Sequence, residues 1–157
     1  MKQILVLSVC ALILFGATGC GEKVKGVKTE YIDGVVKLDG KIVPEGTSVR
    51  FLPVTEGKGE PAGGYTDKNG VYKLSSNSGA PEKGALEGEY KIVLSKMETT
   101  EYEEGDPKAP RDNRGDQMLS TSKEILPKIY TDKKTTPLTY TVVKGKQKFD
   151  LELSSTP

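Results

Sequence analysis

Apolar and polar residues alternate with a period of two in short runs between residues 31 and 153, the spacing of strands that bury one face. In the first run, Tyr31 to Pro53, Val36 and Leu38 fall on one side of an extended strand, and Val35 and Lys37 fall on the other. Asp39-Gly40 follows, a pair suited to the positive φ angles of a tight turn, so the run reads as a hairpin whose second strand covers 47–53. That second strand puts Val49 and Phe51 on one face. A polar loop over 55–60 leads to a short strand from Ala62 to Thr66, where Gly63-Gly64 marks an edge or a bulge. Asp67-Lys68-Asn69-Gly70 is a second turn, and the strand leaving it turns Tyr72 and Leu74 inward. Gly88 to Ser95 alternates most cleanly, with Tyr90, Ile92 and Leu94 together. The closing segments predict another hairpin about Lys144-Gly145-Lys146, with Leu138, Tyr140 and Val142 facing the same core as Phe149, Leu151 and Leu153.

Two regions break the alternation. Residues 1–19 combine Lys2 with an apolar run from Ile4 to Phe15, too short to span a bilayer comfortably, which is the layout of an export signal. From Glu98 to Gln117 almost nothing is apolar, as in a long exposed loop that could carry a local function. Just beyond it, Thr121 and Glu124 have capping-box spacing ahead of Ile125 and Leu126, which predicts one short helical turn within 120–130, ended by Pro127.

Composition narrows the chemistry. The 23 basic and 22 acidic residues nearly cancel, so no nucleic-acid partner is expected. With no histidine in the chain, an imidazole base and the usual zinc sites are both excluded. Glu101, Glu103 and Glu104 would be the carboxylates of a hydrolase acting from the 98–117 loop, an alternative against which a solvated acidic run is the simpler explanation. Asp67 and Asn69 resemble a fragment of a calcium loop, but the later carboxylates such a loop needs do not follow, and a turn accounts for both. No other metal site and no cofactor is expected. Arg114-Gly115-Asp116 spells an adhesion tripeptide within a charged segment where such a match arises by chance. Tyr72, Tyr90 and Tyr140 fall on inward faces, which leaves the less firmly placed Tyr31, Tyr65, Tyr102 and Tyr130 as the aromatics for a binding surface; the candidate surface is Tyr65 and Tyr102 with Arg114.

Only two cysteines exist, Cys10 inside the apolar run and Cys20 just after it. Gly16-Ala17-Thr18-Gly19-Cys20 resembles the lipobox of bacterial lipoproteins, with Ala17 where leucine is usual. The resemblance implies cleavage between Gly19 and Cys20, and acylation of Cys20, palmitate being the typical chain. Two acyl chains meet the two-signal requirement for lasting membrane attachment. Membrane lipid is then the first partner. Residues 20–29 become a lipidated tether, and Gly21 lacks the aspartate that retains such proteins in an inner membrane. The expected location is the cell envelope, at the outer membrane where the host has two.

Three fragments follow one another in the order of a single family pattern. They are Gly34-Val35-Val36-Lys37-Leu38-Asp39-Gly40-Lys41 with Pro44, Thr66-Asp67-Lys68-Asn69-Gly70-Val71-Tyr72, and Gly84-Ala85-Leu86-Glu87-Gly88-Glu89-Tyr90-Lys91-Ile92. Together they resemble the carboxypeptidase regulatory-like domain, with Ile42 where that family often has proline. The resemblance implies an all-β, seven-stranded Greek-key β-sandwich of transthyretin-like (prealbumin-like) type over 30–154, with a charged loop insertion at 97–124 and a tail at 155–157. It also implies an accessory module without catalytic residues. The expected function is therefore a lipid-anchored envelope module, not an enzyme, with a structural, adhesive or ligand-binding role toward an envelope protein or polysaccharide. A carbohydrate- or calcium-assisted binding module is the alternative.

Overall fold

A computed structural model describes residues 28–55, 59–76 and 84–156, and these fold into β-structure arranged in layers. In chain order the strands are β1 (Ile32–Leu38), β2 (Lys41–Ile42), β3 (Ser48–Pro53), β4 (Ala62–Tyr65), β5 (Val71–Lys73), β6 (Ser75–Ser76), β7 (Gly88–Ser95), β8 (Met97–Glu101) and β9 (Ser120–Glu124). A single 3-10 turn (Lys128–Tyr130) then precedes β10 (Thr139–Val142), β11 (Gln147–Lys148) and β12 (Leu151–Leu153).

The first sheet is built on β1. On one side β1 pairs antiparallel with β5 and β2, and on the other it runs parallel to β11 and β12. The second sheet has the order β10-β7-β3-β4-β6, antiparallel throughout. One apolar core lies between them. Ile32, Val36, Tyr72, Leu151 and Leu153 of the first sheet meet Val49, Phe51, Tyr90, Ile92, Leu94 and Val142 of the second. This is the two-layer solution for sheets with one apolar face each. Phe51 sits at its centre, with the rings of Tyr72, Tyr90 and Tyr140 about it at 6.0–6.3 Å between centroids.

The expected faces of β1, β3 and β7 hold, whereas the expected hairpins need correction. Asp39 and Gly40 do adopt positive φ, 50° and 75°, but the strand they return is the two-residue β2, and β3 crosses to the opposite sheet. Likewise β10 joins the second sheet and β11 the first, so Lys144-Gly145-Lys146 connects layers instead of closing a hairpin. The run after Gly70 divides as well: β5 belongs to the first sheet and β6 to the second. Alternation fixes which face is buried, but a residue that faces the core from either layer leaves the same trace.

Between β11 and β12 the parallel ladder is interrupted for a chemical reason. The Phe149 carbonyl accepts the Tyr72 hydroxyl at 2.7 Å, and the Val35 N–H donates to the Asp150 carboxylate at 2.9 Å in place of a backbone oxygen. The Tyr72 ring lies over Gly34, its partner across the β1–β5 pair, and a Cβ on Gly34 would stand 1.8 Å from the Phe149 oxygen. The glycine and the tyrosine thus require one another.

The 97–124 segment is also more ordered than a loop. β8 continues the line of β7 and pairs with β9 from Met97–Glu124 to Glu101–Ser120, forming a two-stranded arm. The arm also replaces the expected helical turn, because residues 120–124 are strand and the 3-10 turn begins only at Lys128. Glu124 does cap backbone N–H groups, though not those of a helix. Its carboxylate accepts from the N–H groups of Lys96 at 2.9 Å and Leu126 at 3.0 Å, and from the Ser95 hydroxyl at 2.6 Å, pinning the base of the arm. Burial alone would raise its pKa, and these hydrogen bonds outweigh that and hold it below the ordinary 4.5. A depressed folded-state pKa gives stability that is present above the unfolded value and lost as pH falls through the folded one. Glu124→Gln is therefore expected to lower the melting temperature near neutral pH and to flatten its decline below about pH 4.5. A wild-type and variant difference independent of pH would contradict this.

The strand directions define two poles. Residues 28–31, the Glu30–Ala85 bridge and the 143–146 turn lie together at one. β1 and β7 both run away from it, and the arm leaves from the opposite end.

Candidate functional site

The residues expected from sequence to form a site are widely separated. Gly19 and Cys20 lie outside the described residues. Asp67 is committed to its own turn, its Oδ1 accepting from the N–H groups of Asn69 at 2.8 Å and Val71 at 2.9 Å. No group of three or more His, Cys, Asp or Glu side chains suited to a metal ion occurs among the described residues. Tyr130, one of the tyrosines less firmly placed by sequence, is buried and exchanges hydrogen bonds with Ser154, so it serves the core. Tyr31 is half-buried beneath the Lys146 ammonium, 4.9 Å from the ring centroid.

Tyr102 and Arg114 belong to the outer part of the arm. Cross-strand hydroxyls of Thr99 and Ser122 meet at 2.9 Å, and the Tyr102 N–H reaches the Leu119 carbonyl. Farther out, the Gln117 amide ties the segment by donating to the Glu103 carbonyl and accepting from the Gly105 N–H, both at 2.8 Å. At the tip Asp112 accepts from the N–H groups of Arg114 and Asp116 at 2.9 Å, contacts that hold its carboxyl below the usual range. The Arg114 guanidinium folds back toward Asp112 and Asp116, at 3.4 and 3.9 Å. Its charge is thus turned onto its own loop. Glu101, Glu103 and Glu104 are all exposed.

Tyr65 belongs to a different setting. On the outer face of the second sheet, Arg50, Gly63 and Ser75 stand in one cross-strand row, and Ser48 and Tyr65 in the next. Lacking a side chain, Gly63 leaves a gap in the pleated surface. A depression of about 420 Å³ opens there, lined by Ser48, Arg50, Gly63, Gly64, Tyr65, Lys73 and Ser75. A second, of about 310 Å³, shares Arg50, Gly63 and Ser75 and continues past Ala62 to Pro61. The two form one trough along β4. Tyr65 is 73% exposed beside it, and Arg50 and Lys73 are exposed on its walls. Among the described residues, no acidic side chain lines it.

Gly64 explains how the trough keeps its shape. A Cβ there would lie 2.1 Å from the Lys73 carbonyl, where the chain passes between the two sheets. The absence of a side chain lets β4 approach that crossing closely and brings Lys73 beside Tyr65. Sequence reasoning found Tyr65 but not Arg50 or Lys73. Their signal was present as polar, outward positions alternating with Val49, Phe51, Tyr72 and Leu74.

Comparison with known proteins adds little. No protein-family model matches the chain, and no curated protein matches it. The crystal structure of the major plantain pollen allergen Pla l 1 is similar over 81% of this chain and 94% of that chain, with 19% identity and a TM-score of 0.29. So loose a superposition carries no argument about the site.

Proposed function

We propose that the protein is a lipid-anchored, non-enzymatic binding module of the bacterial cell envelope, held in the membrane by acylated Cys20. The observation that carries the reading is the apolar run closing on Gly16-Ala17-Thr18-Gly19-Cys20, ahead of a β-sandwich. The poles of the sandwich support it. Residues 28–31, which follow the proposed lipid site in sequence, lie at one pole, and the arm leaves the other. Residues 97–124 carry eight acidic and four basic side chains, a balance that favours distance from anionic headgroups. The absence of histidine speaks against the commonest catalytic bases.

We also assign the sandwich to the carboxypeptidase regulatory-like, transthyretin-like type with a seven-stranded Greek key. When β5 with β6 and β11 with β12 are each taken as one interrupted strand, and β2 and the arm as additions, seven principal strands remain. The Gly34–Tyr72 contact joins two of the fragments on which the resemblance rests.

Anchorage is tested by expressing the full chain and its Cys20→Ser variant in a lipoprotein-competent bacterium and separating membranes from soluble material. Wild-type protein is expected in the membrane fraction, partitioning into detergent. Soluble recovery of the wild type would overturn the anchored reading.

A further inference from the structure

We propose that the trough on the outer face of the second sheet binds an acidic polysaccharide, a chain of uronate sugars, through Arg50, Lys73 and Tyr65. The inference rests on the binding-module reading and supplies the ligand class it lacks. Arg50 and Lys73 make no ion pair and no side-chain hydrogen bond among the described residues, and no carboxylate lines the trough. Asp33 stands opposite Lys73 across the β1–β5 pair without closing an ion pair. Two cations on one concave surface suit an anionic ligand, and guanidinium matches a carboxylate with two parallel N–H groups.

The form of the trough favours a sugar chain over an acidic peptide. It lies on the face of the sheet, where β3 is paired on both sides and β4 is paired with β3 throughout and with β6 at Ala62 and Gly63, so a peptide adding as a strand would pair along the β6 edge and not lie in the trough. Recognition must come from side chains and from flat surfaces. Gly63 supplies a floor without a side chain, and the Tyr65 ring stands beside it with an apolar face and a polar tip. The row from Arg50 across Gly63 to Ser75 spans about 10 Å at the usual strand spacing. From Pro61 to Tyr65 the trough runs about 13 Å at the rise of an extended strand, room for more than one ring. Repeated carboxylates along such a ligand would meet Arg50 and Lys73 in turn.

The test is calorimetric titration of the full chain in detergent, with chelator present, using alginate oligosaccharides. The matched probe is the same oligosaccharides after reduction of their carboxylates to alcohols, and polyglutamate is the peptide probe. Binding of alginate is expected, with at least tenfold weaker binding of the reduced probe and of polyglutamate. Arg50→Ala and Lys73→Ala are each expected to weaken alginate binding about tenfold or more, the scale of a lost hydrogen bond to a charged group. Tyr65→Ala should weaken the alginate and reduced probes alike. All three side chains are exposed, and unchanged circular dichroism would show that the fold is intact.

The proposal is overturned by absent alginate binding, by equal affinity for the reduced probe, by variants that bind as wild type, or by polyglutamate binding as tightly. None of those outcomes touches the membrane anchorage. Cleavage of the oligosaccharide, read by mass spectrometry, would instead overturn the non-enzymatic reading and leave the trough as the site.

Discussion

Replacing Phe51 with alanine is expected to cost about 3–5 kcal/mol, the range for removing a large aromatic side chain from a packed core. Phe51 is fully buried and is the one ring in contact with Tyr72 of the first sheet and with Tyr90 and Tyr140 of the second. Its removal would leave a void that neither sheet can close, because both are held by their own ladders. With typical domain stabilities of about 5–15 kcal/mol, such a loss brings the fold close to unfolding. Urea denaturation of the full chain in detergent measures it. A cost below about 1.5 kcal/mol, the scale of a volume-conserving swap, would mean that Phe51 is not the centre of the core.

Gly34→Ala should be the most damaging single-methyl addition in the first sheet. Its Cβ would stand 1.8 Å from the Phe149 carbonyl and 3.0 Å from the Tyr72 ring, and the nearer obstacle is backbone, which cannot rotate away. Parting β1 from the last strand would break the Tyr72–Phe149 and Val35–Asp150 hydrogen bonds together. The expected cost is about 3 kcal/mol or more, at the upper end of overpacking effects. Gly63→Ala is the matched comparison, since its Cβ would meet the nearest backbone atom at 3.2 Å, and it should cost far less. Equal stability of the two variants would contradict the account of the β1–β5 pair.

The contrast between these residues shows what the sequence could reveal. Phe51 alternates with polar neighbours, so its burial was legible from period two alone. Gly34 looks like any strand glycine until Tyr72 is known to lie across it and Phe149 beneath it. The layer to which a strand belongs was likewise hidden. β3 and β11 each follow a turn that resembles a hairpin, and β6 follows β5 after a single residue, yet only the long-range pairing sends each to one sheet or the other. In the arm, polar β8 and β9 lack the apolar face that marks a half-buried strand, so Thr99–Ser122 and its neighbouring pairs read as loop. Glu124 had the chemistry of a cap, yet the N–H groups it serves include Lys96, far away in sequence. The trough was half visible: Tyr65 stood out as an exposed aromatic, whereas Arg50 and Lys73 become its neighbours only when β3, β4 and β5 converge.

The central claim is that a β-sandwich binding module is held at a membrane by lipid on Cys20. Its most direct test is the intact mass of the protein extracted from membranes of a lipoprotein-competent bacterium. A chain beginning at Cys20 with the added mass of two or three acyl groups is expected. A chain that retains residues 1–19, or one that begins elsewhere with Cys20 unmodified, would contradict it.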